Sequence, residues 1–439
     1  MSLTFKKDNE HHNFTLMIGV STRQNTANLV PFFQFDCEEL ILLETQAAID
    51  YKWSEGIKRV INERGKKCIT VPFGTGSNLV EMETKLIHAI RNSQTQNICW
   101  NFGGGQKLQQ LALFNHFTYR ITQEYNDIAC YSEPQTRLTY IITPSGDNRK
   151  SLKNDEMPTN CFLDLDEILS IFGHTSKNSI CLWHRTDAGN KPIGQDYLLT
   201  PEQEEWFDDF GKRQAMFKYM LDKENSKNNR DEHMLMSDKI FPIKFSTDMS
   251  KKTDSELGVY FERLMQTRIT RIIASAPDQH RINQVWANVH VFSFNSNNEI
   301  AEYDLVLVTN FGTIIPIDAK SYEFKKKDED ARSHNLNNLS GVYTDFWSVF
   351  PYYKDDFKDD SILQTDKQWN KLLRIPFTLK ERKSKMLSLS GVDVAPFHVY
   401  ETKKNKIQIS ENVATSKDKA VKINTLKNLI KTLNITNIP

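Results

Sequence analysis

Two aspartates and a lysine stand close together near the middle of the chain: Asp304, Asp318 and Lys320. Apolar, β-branched runs lie between the aspartates and are separated by Asn310, Phe311 and Gly312, the pattern of a β-hairpin with a tight turn. Centred on Phe311, the hairpin has Asp304 seven residues before the middle and Asp318 seven after, so the carboxylates face each other across the strand pair. Lys320 is two residues further on and shares their face. Like charges directly opposite destabilise a hairpin. The arrangement therefore calls for a cation, and a divalent metal is the natural candidate.

The elements that must position these groups follow from periodicity. Residues 254–273 form a helix, with Leu257, Phe261, Leu264, Arg268 and Ile272 at helical spacing and Glu262 on an adjacent stripe. Residues 287–294 read as a strand, then come a polar turn and the hairpin. Pro316 removes a ladder donor, which predicts an edge or a bulge there. Trp347, Phe350, Tyr352 and Tyr353 form an aromatic cluster that either packs or stacks on unpaired bases.

This order of a Glu-bearing helix, a strand, an Asp-bearing strand and an Asp-x-Lys strand resembles the core of the PD-(D/E)xK nucleases. The matched residues are Glu262, Asp304, Asp318, Ala319 and Lys320. The resemblance implies that Asp304, Asp318, the backbone carbonyl of Ala319 and Glu262 hold Mn²⁺ or Mg²⁺. It makes Lys320 the group that orients the attacking water or stabilises the phosphorane. Ala319 is expected to point to the other face and pack inward.

The first 145 residues alternate strand-like and helix-like runs. Strands are expected at 14–20, 39–43, 67–71, 97–101, 128–131 and 138–142, with helices at 25–33, 45–64, 78–91 and 107–117. Such alternation means an α/β domain, a parallel sheet with helices on both faces. The most polar loops follow the first and fourth strands, which are neighbours in the doubly wound order, and ligands bind at that switch point. One loop carries Ser21, Thr22, Gln24 and Asn28. The other runs from Asn101 through Gly103, Gly104, Gly105 and Gln106 to Lys107, a glycine run at a helix N-terminus suited to an anion. No G-x-G-x-x-G follows the first strand and there is no Walker motif, which disfavours a dinucleotide cofactor or an ATPase.

Composition bounds the rest. The 439 residues exceed one typical domain. The expected division is 1–145, a bridging helical region at 146–240, and 241–439. Lys and Arg together number 56, as do Asp and Glu, giving a net charge of zero. From Lys371 to Pro439, however, 14 basic residues stand against 5 acidic ones, a net of +9. That segment either lines a nucleic-acid path or forms a solvated face. No apolar run approaches the ~20 residues of a membrane span. Six cysteines without a CxxC pair read as reduced core thiols, hence a cytoplasmic location.

The two polar loops resemble those of CARF domains, the Rossmann-like sensors of cyclic oligoadenylate in type III CRISPR defence. Ser21, Gln24 and Asn28 resemble the family's Gln…Asn loop, and residues 101–107 its Asn-x-Thr-Gly-Gly-Thr-Lys. Gly103 and Gln106 replace two threonines, which removes two hydroxyl donors. A CARF domain followed by a PD-(D/E)xK restriction-endonuclease-like domain resembles the ancillary CRISPR nucleases of prokaryotes. The resemblance implies a homodimer, cyclic tetra-adenylate as activator, and cutting of single-stranded RNA, DNA or supercoiled DNA. Two alternatives remain at this point: a restriction- or repair-type enzyme with another recognition domain, and a non-enzymatic nucleotide sensor.

Overall fold

The computed structural model describes residues 14–214 and 256–319 apart from short loops, and separate stretches between 339 and 433. The first sheet is built from β1 (Leu16–Val20), β2 (Glu39–Glu44), β3 (Lys67–Pro72), β4 (Ile98–Asn101), β5 (Ile128–Glu133), β6 (Leu138–Ile142) and β7 (Lys150–Lys153). Its order is β3-β2-β1-β4-β5-β6-β7, so β1 and β4 are neighbours as the alternation predicted. β1 to β5 are parallel, whereas β6 and β7 run antiparallel and extend the sheet at one edge.

The helices α1 (Thr26–Gln34), α2 (Gln46–Asp50), α3 (Trp53–Glu63), α4 (Leu79–Ser93) and α5 (Lys107–Thr122) connect the strands. The single helix expected at 45–64 is two, because Lys52 takes a left-handed φ of +55° between α2 and α3. α1 and α3 cover one face, around Met17, Leu40 and Ile57. α4 and α5 cover the other, around Ile18, Leu86 and Leu113. Just before β5, Asp127 is fully buried. It accepts the Ile98 N–H at 2.9 Å, Trp100 Nε1–H at 2.8 Å and Arg120 Nε–H at 2.6 Å.

The second sheet has eleven strands. β8 (His174–Lys177), β9 (Ile180–His184) and β10 (Lys191–Pro192) are followed by α7 (Pro201–Asp208) and α8 (Glu256–Ser275), with α6 (Leu165–Ile171) preceding them. Then come β11 (Ile282–Ser293), β12 (Glu299–Thr309), β13 (Ile314–Ala319), β14 (Trp347–Phe350), β15 (Lys385–Ser388), β16 (Phe397–Glu401), β17 (Ile407–Ser410) and β18 (Ala420–Thr425). β8 and β9 both pair with β11, so part of the expected helical bridge is strand. Asn178, at φ +58°, makes the turn between them.

One apolar core lies between α8 and the second sheet. Another joins the two sheets, combining Met17, Val30 and Ile57 with Ile168, Tyr303, Val306 and Ile314. The first α/β module and the hairpin therefore share a core. Trp347, Phe350 and Tyr353 are buried in the α8 core, so their role is packing; Tyr352 lies outside the described residues. Burial raises the thiol pKa of Cys37, Cys68, Cys99 and Cys181, which leaves them unreactive.

Removing one member of a buried ion pair leaves an uncompensated charge, a loss of about 3–5 kcal/mol. Asp127→Ala is expected to lower stability by that order, read as an earlier midpoint in urea unfolding.

Candidate functional site

The hairpin has the register centred on residue 311: Leu305 pairs with Ile317, Val306 with Pro316, Leu307 with Ile315 and Val308 with Ile314. One further step sets Asp304 opposite Asp318. Asp318 is fully buried and Asp304 half-buried. Asp304 Oδ2 accepts the Ala319 N–H at 2.7 Å, a side-chain clasp between the two strands at the site. Ala319 packs against the α8 core, as its place in the alternation requires. β13 is not an edge strand, but its pairing with β14 starts at Ile317. Pro316 precedes it, where no β14 partner needs an N–H.

The polar row continues on both sides. On β11, the pairs Ala287–Leu305 and Val289–Tyr303 put Asn288 opposite Asp304. On β14, Ser348 pairs with Asp318 and is also buried. Asn288, Asp304, Asp318 and Ser348 thus cross four adjacent strands.

α8 packs on the other face of these strands and grips the row at Asp304 and Asn288. Gln266 is fully buried, and its Nε2 donates to the Asp304 carbonyl at 2.7 Å and to Asn288 Oδ1 at 3.1 Å. Asn288 Nδ2 in turn donates to the Tyr197 hydroxyl at 2.9 Å. Asn288 has a left-handed φ of +52°, and the core-facing positions change phase there. Ala287 and Leu305 face the α8 core, whereas Val289 and Tyr303 face the core between the sheets. Glu262 is half-buried one turn before Gln266, on the same stripe of α8. Burial pushes the Tyr197 phenol above its ordinary pKa; its Asn288 hydrogen bond and Arg263 act against this, and Glu262 adds to it.

The structure thus brings Asp304, Asp318 and Ala319 together and sets Glu262 on the helix that grips Asp304. Lys320 lies outside the described residues. Gln266, Asn288, Ser348 and Tyr197 were not singled out by sequence. Gln266 alone carried a signal, four residues after Glu262. Among the described residues, His290, Glu299 and Glu302 also gather three potential ligand atoms within 4.8 Å of one another. His290 lies between the two carboxylates, 3.3 Å from Glu299 and 3.9 Å from Glu302.

The two polar loops meet over the β1–β4 crevice. Asn28 is fully buried: its Nδ2 donates to Val20 O at 2.9 Å and Asn25 Oδ1 at 3.0 Å, and its Oδ1 accepts from Asn101 Nδ2 at 2.9 Å. Ser21 is also buried, 2.7 Å from the Ser54 hydroxyl. Asn25 Oδ1 accepts the Thr22 N–H, and Asn101 Oδ1 the Gly103 N–H. These residues brace the loops. Thr22, Gln24, Gly103 and Gly104 are partly accessible, and Arg23, Gly105, Gln106 and Lys107 are exposed. Arg23 is an exposed cation in the first loop that sequence reasoning did not select. Gly104 is where the loops touch: a Cβ there would lie 2.9 Å from both Val20 O and Thr22 Cγ2.

The class of fold expected, a Rossmann-like parallel sheet with helices on both faces followed by a second α/β unit, is the fold found. Protein VC1899 from Vibrio cholerae has a similar structure, with TM-score 0.54 and 14% identity over 77% of this chain and 89% of that one. Can2 from Sulfobacillus thermosulfidooxidans, solved with cyclic tetra-adenylate, gives TM-score 0.55 and 15% identity over 77% of this chain and 90% of its own. A type III CRISPR defence DNA nuclease activated by cyclic oligoadenylate gives TM-score 0.48 and 12% identity over 87% of this chain and 49% of that one. No protein-family model matches the sequence, and no curated protein does. None of the helices described is long and apolar enough to cross a membrane.

Forcing a methyl group into a filled contact costs about 1–3 kcal/mol. Gly104→Ala is therefore expected to separate the loops, with a loss of stability of that order visible as a lower melting temperature.

Proposed function

We propose that the protein is a metal-dependent nuclease that hydrolyses phosphodiester bonds of single-stranded RNA, DNA or supercoiled DNA when cyclic oligoadenylate, specifically cyclic tetra-adenylate, is bound. The setting is type III CRISPR antiviral defence in a prokaryotic cytoplasm. Residues 1–145 are the sensor, 241–439 the nuclease, and 146–240 the connection. The observation that carries the reading is the facing Asp304–Asp318 pair, in one chain with two polar loops at a topological switch point.

The donor set fits Mg²⁺ or Mn²⁺. Two carboxylates and the Ala319 carbonyl are hard oxygen ligands, with no thiolate or imidazole among them. Asp304, Asp318, the Ala319 carbonyl and Glu262 would hold the ion. Once bound, it supplies hydroxide near neutral pH and offsets charge on the scissile phosphate. The chain's own residues do the rest. Gln266, itself anchored on Asn288, holds the Asp304 backbone carbonyl so that its carboxylate meets Asp318 in one orientation. Lys320 orients the attacking water and neutralises charge on the phosphorane.

At the other site, Arg23 and Lys107 offer positive charge to the ligand's phosphates, and the N–H groups of Gly103 to Gly105 approach closely because no side chain intervenes. Thr22, Gln24 and Gln106 supply polar contacts, while Ser21 and Asn28 keep the loops in shape. A homodimer is supported by α5, which begins at Lys107 and exposes Leu108, Leu111 and Phe114 at spacings of three. Seating a second copy on that stripe sets two ligand loops side by side.

The test is cleavage of plasmid or labelled RNA with Mn²⁺, with and without cyclic tetra-adenylate. Cutting is expected only with both, and ligand-independent cutting sinks the gating. Asp318→Ala should lower the rate by about a hundredfold or more, on the scale of losing transition-state charge stabilisation; an unchanged rate sinks the assigned site. Leu111→Asp with Phe114→Asp should shift the mass in light scattering from dimer to monomer.

A further inference from the structure

The tip of the hairpin touches the first helix of the sensor module. Gly312 takes a left-handed φ of +77° and lies so close to its neighbours that a Cβ would be 3.0 Å from Leu163 Cδ1, 3.3 Å from Val30 Cγ2 and 3.8 Å from Thr26 Cγ2. Thr26 and Val30 are one turn apart on the same face of α1. Above Thr26, α1 is continuous with the ligand loop: Asn25 Oδ1 takes the Thr22 N–H and Asn28 Nδ2, and Asn101 ties Asn28 to the glycine loop. Below Gly312, the Thr309 hydroxyl pairs with Thr313 O at 3.1 Å and Thr313 Oγ1 at 3.0 Å, which makes the tip stiff. From the tip to Asp304 is roughly 20 Å along one strand.

The tip also holds a polar group in an unfavourable place. Asn310 is 4% exposed, and both its side-chain oxygen and nitrogen lack a hydrogen-bond partner among the described residues. A buried amide left unpaired raises the energy of the arrangement that contains it, which narrows the gap to any arrangement that pairs it. Such closeness is what a ligand needs in order to shift a population.

We propose that Asn310 and Gly312 follow α1: displacement of the loop-and-α1 unit by ligand moves them and, through β12 and β13, resets Asp304 against Asp318. The proposal rests on the ligand and nuclease sites assigned above and names how one controls the other.

The experiment compares stimulation of Mn²⁺-dependent cutting by cyclic tetra-adenylate in the full-length protein and in Val30→Ala, Gly312→Ala and Asn310→Leu. Ligand affinity is measured by calorimetry and folding by melting temperature. Val30→Ala thins the contact mildly, Gly312→Ala pushes the tip off α1, and Asn310→Leu removes the unpaired amide from the resting seat. Each is expected to reduce stimulation about fivefold or more, the scale of a typical coupling energy, with ligand affinity within about threefold of wild type. Wild-type stimulation in all three folded variants overturns the proposal alone. A wild-type protein whose cutting ignores the ligand overturns this proposal together with the assigned gating.

Discussion

Two carboxylates held opposite each other in the middle of a sheet are the constraint around which the second half of the molecule is built. Neither strand can turn away from the other, because apolar side chains are buried on both sides of the pair. Leu305, Leu307 and Ile317 belong to the core under α8, and Val306, Val308 and Ile314 to the core between the sheets. A one-residue slip would expose both sets at once. The register that apolar burial enforces is thus the register that brings Asp304 to Asp318. The cost of the like charges is met by the fold, and Asp304 offsets part of it by taking the Ala319 N–H.

The same economy operates at the switch point. Asn28, Asn101 and Asn25 satisfy one another and the local backbone under the loops. Their burial removes them from direct contact with solvent and leaves Arg23, Gln106 and Lys107 outermost. A loop built this way presents charge and bare backbone over a rigid polar floor. Anion binding at a helix N-terminus needs that combination, since donors that reorganise on binding lose part of what they gain.

Sequence revealed what is local. The hairpin register could be counted because two apolar runs and a Gly-bearing turn encode it within twenty positions. The order of β1 to β5 could be read because each strand is followed at once by its helix. What stayed hidden depends on distant partners. β8 and β9 are short strands whose partner, β11, comes about a hundred residues later, so nothing nearby marks them as strands. Gln266 and Asn288 reach Asp304 only after α8 packs on the sheet, and a glutamine on a helix or an asparagine in a strand signals nothing alone. Asn28 matches a binding motif in the chain yet is buried in the fold, because the sequence does not say which side of a loop faces inward.

The shared core has a consequence for how the two modules communicate. Modules joined only by a linker exchange little energy, because each can move without disturbing the other. Here Val30 of α1, Ile168 of α6 and Val306 and Ile314 of the hairpin lie in one close-packed cluster. Packed interiors move between discrete arrangements rather than deform continuously. A shift of α1 large enough to move the two polar loops therefore cannot be absorbed at the boundary. It must be passed to the strands that carry Asp304 and Asp318, or be refused by them. The close packing of that cluster ties the first sheet's α1 to the strands of the hairpin.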